Sequence, residues 1–260
     1  MIKILKYSFY DLARSNWTYL YLVFYLFTAF SLLFLSNDLS RVIASLMNII
    51  IVLTPLIGMM LGTMYYYNTR DFAELLLAQP IQRKSVFLGQ YLGLSLSMTL
   101  SFLVGLGIPF IVYGVLVSPQ IWNFSMLLLV GVLLTLVFTA LAFLVASRFE
   151  NKIKGFGVAI VVWLSLAVIY DGLFLLGLIV FKSYPLENAA LGITLLNPID
   201  LSRILIMLKL DISALLGYTG AVFNKFFGTS LGIMVSLGAL VLWVLGPLGL
   251  FLKVVKHKDF

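Results

Sequence analysis

One acidic residue, Asp171, interrupts a long apolar run between Phe156 and Phe181. An ionised carboxylate at membrane depth is costly, so such residues usually face a partner or a cavity and are functional candidates, for example as proton carriers. The structural alternative is that Tyr170-Asp171-Gly172 breaks the helix and brings Asp171 to a polar neighbour. No cationic partner for Asp171 is evident inside the run, which favours the structural interpretation.

The sequence gives little evidence of a metal site and none of a nucleotide-binding motif. The chain has 9 methionines, no cysteine and a single histidine, His257 in the basic tail. The thioethers of Met59, Met60 and Met64 would suit Cu(I), but methionine at helical spacing is more often ordinary packing. No Gly-Lys-Ser/Thr motif of a phosphate-binding loop occurs. We therefore predict no catalytic residue, no metal ligand and no directly bound cofactor.

The segment 70–85 carries more charge than the other short connections. Pro80 lacks an N–H group and disfavours a helical conformation at Gln79, so it divides the segment. The first piece, about 70–78, is expected to place three apolar residues on one side: Phe72, Leu75 and Leu76. The second piece, about 82–90, is expected to be another short helix that begins with Arg83 and Lys84 and turns Val86 and Phe87 inward. Such amphipathic helices can lie on a membrane or enter a groove of a partner.

Membrane-spanning helices must position these residues. Hydrophobic residues make up 62% of the chain and charged residues only 10%, whereas soluble domains have about a quarter charged residues. Lipid leaves backbone polar groups no external partner, so the apolar stretches must be helical. Six stretches reach the roughly 20 residues that a span needs: 17–36, 42–66, 91–117, 122–146, 156–181 and 229–252. The first follows a basic flank but is long enough to span, so we predict an uncleaved first span.

The distribution of Lys and Arg predicts the orientation. With six spans, both termini share a side, and that side holds twelve of the 17 Lys and Arg residues. Because basic loops stay in the cytoplasm, both termini are predicted to be cytoplasmic. The predicted fold is an all-α polytopic membrane protein that forms one transmembrane domain over residues 1–260.

The connection 182–228 contains a well-marked helix start on the predicted external side. Asn197 can cap the helix, Pro198 suits its first position, and Asp200 favours its positive end. Asp200 and Arg203 are three residues apart and are expected to pair. An apolar stripe follows the cap: Ile199, Leu201, Ile204, Leu205 and Leu208. We predict a small helical cap outside the membrane rather than a tether.

Gly58 and Gly62 form a small-xxx-small pattern in the second span. Such a pattern lets two helices approach closely. The partner helix could belong to the same chain or to a second copy, and the sequence favours internal packing.

The residues 74–83 read E-x-L-L-x-x-P-x-x-R, from Glu74 to Arg83. With six spans and cytoplasmic termini, this stretch resembles the ABC-2 type membrane subunits of ABC transporters. Within that family the chain is most similar to the NosY-type permeases of nitrous oxide reductase maturation. Three further stretches carry this second resemblance: 87–93, 197–203 and 217–221.

The resemblance implies a coupling helix between spans two and three that docks into a separate cytoplasmic ABC ATPase, and ATP and Mg²⁺ would be bound only by that partner chain. Its coupling residues would be Arg70, Asp71, Glu74, Leu75, Gln79, Pro80, Arg83 and Lys84. A periplasmic β-helix protein (NosD-type) would dock on the outer connection through Asn197, Pro198, Asp200, Arg203 and Tyr218. The other implied partners are a second copy of the chain and membrane lipid, with no nucleic acid. The implied location is the bacterial inner membrane, and the implied role is copper or sulfur delivery to the enzyme's copper site.

Three other interpretations remain open at this point. One is an ABC-2 exporter of another cargo, such as a drug, a lipid or a polysaccharide. Another is a secondary carrier that uses Asp171 for protons, although such carriers often show internal repeats and broken helices that are not evident here. The weakest is a scaffold without transport.

Overall fold

A computed structural model describes residues 2–36, 38–181, 187–210 and 229–257. Within these ranges the chain forms helices and short connections, with no strand. The α-helices are α1 (Ile2–Ala13), α2 (Asn16–Leu35), α3 (Leu39–Asn68), α4 (Arg70–Leu77), α5 (Arg83–Val112), α6 (Ile121–Arg148), α7 (Lys152–Leu164), α8 (Tyr170–Val180), α9 (Glu187–Leu195), α10 (Pro198–Lys209) and α11 (Ser230–His257).

Six helical segments of the described chain are long and apolar enough to cross a membrane. They are α2, α3, α5, α6, the continuous segment from α7 to α8, and α11, which confirms the predicted multi-pass all-α fold. The third span begins at Arg83 rather than near Tyr91. The fifth span is not broken at Asp171; a π-helical turn, Ser165–Ile169, joins its two parts.

The packing of α3 against α6 forms the centre of the bundle. A Cβ atom on Gly58 would lie 3.3 Å from the Cβ of Phe138, and one on Gly62 would lie 2.6 Å from the Cβ of Ala142. At Gly62 a side chain would force the two helices apart, and at Gly58 Phe138 would have to shift by a few tenths of an ångström, so the glycines allow the close approach of the two helices. Internal packing of the small-xxx-small pattern is therefore confirmed.

One end of the bundle, here called the basic end, gathers α1, α4, the connection after α6 and the last turns of α11. Aromatic rings link these parts: the ring centroid of Phe251 lies 6.2 Å from that of Tyr66 and 6.0 Å from that of Phe87. The Tyr67 hydroxyl donates to the Phe149 carbonyl at 2.8 Å. The charged groups that predicted one orientation thus lie together at one end, as the charge distribution requires.

Helix α1 was not predicted, because its basic residues were interpreted only as a flank of the first span. It packs along the start of α5, where glycines allow close contact. A Cβ atom on Gly89 would meet the side chain of Ile4 at 3.0 Å, and one on Gly93 would lie 2.5 Å from the Cβ of Ser8. These two glycines therefore form the seat of α1.

Replacing Gly93 by alanine is expected to loosen α1 and to destabilise the protein by about 1 to 3 kcal/mol through overpacking. The matched control is Gly107→Ala on the same helix, where no atom lies within 4 Å of an added Cβ. That change should be neutral or slightly stabilising, because alanine is the better helix former. The rate of trypsin cleavage after the exposed Arg14 measures the loosening of α1, and the thermal midpoint measures the loss of stability. Equal values for the two variants would contradict the role of Gly93 in packing α1 on α5.

The described part of the connection between the fifth span and α11 folds inward instead of forming an external cap. Two hydrogen bonds tie the turn between α9 and α10 to spans at mid-span depth. Trp243 Nε1 donates to the Leu195 carbonyl at 3.2 Å, and Asn197 Nδ2 donates to the Leu166 carbonyl at 2.8 Å. Leu166 and Trp243 lie near the midpoints of the fifth span and of α11. Helices α9 and α10 therefore form a hairpin that reaches into the bundle, where α10 also packs on α3 and α6.

Candidate functional site

Helix α4 protrudes at the basic end, between the second and third spans. It begins directly after α3, with only Thr69 between them as the C-cap of α3 and the N-cap of α4. The piece predicted at 70–78 is confirmed as a helix. The piece predicted at 82–90 is not a separate helix, because α5 runs without interruption from Arg83 to Val112. As predicted, Val86 and Phe87 point inward and are buried.

Two contacts hold α4 against the bundle, and an ion pair stabilises the helix itself. Ala73 is buried at 1% exposure. The ring of Phe72 stacks on that of Tyr7 in α1, with centroids 5.0 Å apart. Arg70 Nε pairs with Glu74 Oε1 at 2.9 Å within the helix. The segment therefore has a fixed orientation relative to α1, and this aromatic contact was missed because α1 itself was not predicted.

Leu75 lies on the outward face of α4, 71% exposed. Phe72 and Leu76, which were predicted to lie on the same side of the helix as Leu75, are only partly exposed, and the ring of Phe72 is covered by Tyr7. The other predicted coupling residues that are exposed beside it are Asp71, Glu74, Gln79, Pro80, Arg83 and Lys84. The result is an apolar side chain in the middle of a mixed-charge surface, an arrangement that suits a protein partner.

A second polar site lies where the fifth span meets α10. Arg203 Nη1 donates to Asp171 Oδ2 at 2.6 Å, so Asp171 does have a cationic partner, contrary to the sequence-based expectation. The partner was missed because α10 was assigned outside the membrane. The same guanidinium nitrogen lies 3.6 Å from Asp200 Oδ1, which confirms the predicted Asp200–Arg203 pair.

Asn197 organises this site from the turn between α9 and α10. Its Oδ1 accepts from the Ile199 backbone N–H at 3.0 Å, which confirms the predicted helix cap. Its Nδ2 donates to Asp200 Oδ2 at 2.9 Å and to the Leu166 carbonyl of the π-helical turn. π-helical turns often occur at functional sites. One side chain thus joins the helix start, the buried acid and the fifth span.

The residues predicted to dock an external partner occupy an interior position in this structure. Asn197 is fully buried, and Asp200 is 7% exposed. Pro198 is buried and Arg203 is partly buried. Tyr218 lies outside the described residues. Their docking role stays a prediction, and the observed contacts give Asn197, Asp200 and Arg203 an internal structural role.

The methionines do not share one environment. Met59 is fully buried in the core, whereas Met60 on the next position is 37% exposed. Among the described residues, no group of three or more His, Asp or Glu side chains could hold a metal ion. The side chain of His257 is outside the described part.

Comparison with protein-family models matches residues 40–260 to the family described as "ABC-2 family transporter protein". The "Probable ABC transporter permease protein NosY" of Stutzerimonas stutzeri is 29% identical over 211 residues, which cover 78% of this chain and 71% of that protein. A protein of the same name from Pseudomonas aeruginosa (strain PAO1) is 31% identical over 180 residues, which cover 66% of this chain and 65% of that protein.

Proposed function

Since the chain belongs to the ABC-2 family of transporter proteins, we propose that it is a permease subunit that transmits ATP-driven motion from a cytoplasmic ABC ATPase through α4. The chain itself is a membrane subunit, and ATP hydrolysis belongs to the partner. It would act as a homodimer in the bacterial inner membrane, with both termini in the cytoplasm. This orientation is supported by the concentration of Lys and Arg at the basic end.

The single observation that carries the proposal is the exposed Leu75 on a firmly held helix. A flexible loop would absorb an applied force, whereas α4 is fastened to α1 by the Tyr7–Phe72 stack and continues directly from α3. Exposed apolar side chains within a polar rim are typical centres of interfaces. A push on α4 would therefore move α3, α5 and α1 together.

The moving helices are connected to the hairpin of α9 and α10. Helix α10 packs on α3, α6 and α11, so a shift of α3 would reach the hairpin through contact between packed side chains. Rigid-body motion of packed helices is a common form of such transitions. The work is conformational and needs no catalytic residue in this chain.

The finer proposal concerns the cargo and the outer partner. Two relatives are named as NosY permeases, and the sequence resemblance to NosY-type permeases implies maturation of the copper site of nitrous oxide reductase. A periplasmic β-helix protein would receive the motion on the outer side. The alternative within the family is an exporter of a drug, a lipid or a polysaccharide.

Affinity purification of the tagged protein in mild detergent, followed by mass spectrometry, tests both levels of the proposal. An ABC ATPase together with a periplasmic β-helix protein is expected. An ATPase without the β-helix protein would support the permease function and contradict the maturation role. Recovery of a folded, dimeric permease without any ATPase would contradict the proposed function, provided that cells express the chain at its natural level.

A further inference from the structure

The contact between the fifth span and α10 contains an uneven set of charges. Asp171 comes from α8, while Asp200 and Arg203 come from α10. Arg203 Nη1 lies 2.6 Å from one carboxylate and 3.6 Å from the other. Two acidic groups therefore share one guanidinium, and the bound Asn197 amide adds hydrogen bonds but no charge.

Asp200 is the acid that the site shields most. Its side chain retains 10% exposure, and its Oδ1 is buried without a hydrogen-bond partner. A buried carboxylate oxygen without a donor is unfavourable when ionised, because it loses its hydration without a replacement. A proton on Asp200 would remove this cost.

Among the side chains that the structure describes, the other helices around α10 bring no second cation to the site. From the fifth span, Asp171 and Tyr170 approach Asp200. In the described side chains of α3, α6 and α11, the charged residues lie towards the helix ends: Arg41, Arg148, Lys253 and Lys256. Arg41 is exposed and paired with Asp38. Arg203 is thus the cation that the structure places between the two acids.

The titration of Asp200 is consistent with this geometry. Burial, followed by the adjacent carboxyl group of Asp171, raises the pKa of Asp200 to about 8, against the opposing effects of Arg203 and Asn197.

We propose that Asp171, Asp200 and Arg203 form a binding site for one proton, and that this proton holds the α9–α10 hairpin against the fifth span. With the proton bound, one carboxylate and one guanidinium balance each other. When the proton leaves to water, two carboxylates on different helices face one cation, and their repulsion weakens the contact between α8 and α10. The proposal goes beyond the transporter function and does not depend on the identity of the cargo.

Infrared difference spectroscopy of the full chain in nanodiscs tests the site directly. The wild-type protein should show a protonated-carboxyl band at neutral pH that disappears with a midpoint of about 8. Asp200→Asn should lack this band. Asp38→Asn, at an exposed carboxylate, is the matched control and should retain it. A wild-type protein without such a band, or an Asp200→Asn protein that keeps it, would overturn the proposal.

Asp171→Asn provides a second test if Asp200→Asn does not fold. In this variant Asp200 is the only carboxylate that pairs with Arg203. The pKa of Asp200 should therefore fall, and the protonated-carboxyl band should be absent at neutral pH. A band that persists unchanged would show that the proton is not shared with Asp171.

The pH dependence of the thermal midpoint gives an independent readout. Between the ordinary aspartate pKa of about 4 and the folded-state value of about 8, the folded protein holds a proton that the unfolded chain has lost. Stability should therefore fall as pH rises through this window and level off above it. Asp200→Asn should reduce the slope, and an identical slope in both proteins would contradict the site.

Discussion

A Leu75→Glu permease is expected to insert and fold normally but to lose its ATPase. Leu75 is 71% exposed, so the change removes no internal contact. At an interface centre, however, the loss of an apolar anchor costs at least about 2 kcal/mol, and a carboxylate that must be desolvated adds to that cost. Binding should therefore weaken by about 30-fold or more, and ATP-dependent activity should fall with it.

The matched control is Val117→Glu. Val117 is also an exposed aliphatic residue, at 93% exposure, but it lies beyond the far end of α5, away from the basic end. Quantitative co-purification and ATP turnover in nanodiscs compare the two variants at equal permease content. If Leu75→Glu retained its ATPase as well as Val117→Glu does, α4 would not be the coupling element.

The six spans could be predicted from the sequence, because the need to bury an apolar run depends on its length and composition and hardly on its neighbours. The predicted and observed bounds of the spans differ mainly where polar helical turns extend a span at the basic end, as at the start of α5. Helix α1 was missed for the opposite reason. It has only 12 residues, and a helix this short is marginal by itself. Its stability comes from Gly89 and Gly93, each of which lies 85 residues after the residue that it contacts, Ile4 or Ser8.

The sequence identified the residues of the candidate sites but not which of them contact one another. The cap at Asn197 and the Asp200–Arg203 pair follow from local spacing and were confirmed. The inward position of the hairpin depends on contacts of Asn197 with Leu166 and of Leu195 with Trp243, which no local pattern encodes. For the same reason the Asp171–Arg203 pair, 32 residues apart in sequence, could not be found.

Arg203→Met is expected to be the most destabilising single change at the hairpin. It leaves Asp171 without its cation. The loss of one partner costs about 3 kcal/mol or more for a buried ion pair and about 0 to 1 kcal/mol for an exposed one; because the two side chains are 27% and 29% exposed, we expect a loss of about 2 kcal/mol. For a chain of this size, such a loss lowers the thermal midpoint by roughly 4 to 8 °C. Methionine keeps much of the side-chain length, so the loss of charge dominates the effect.

The matched control for this change is Arg41→Met. Arg41 also pairs with an aspartate three residues away, but the two side chains are 83% and 52% exposed, and exposed pairs contribute only about 0 to 1 kcal/mol. The double variant Asp171→Asn, Arg203→Met removes one acid together with the guanidinium. It should therefore lose less stability than the sum of the two single variants, because the residues of a shared pair do not act additively. Additive losses, or an Arg203→Met midpoint equal to that of Arg41→Met, would show that the ion pair does not fasten α10 to the fifth span.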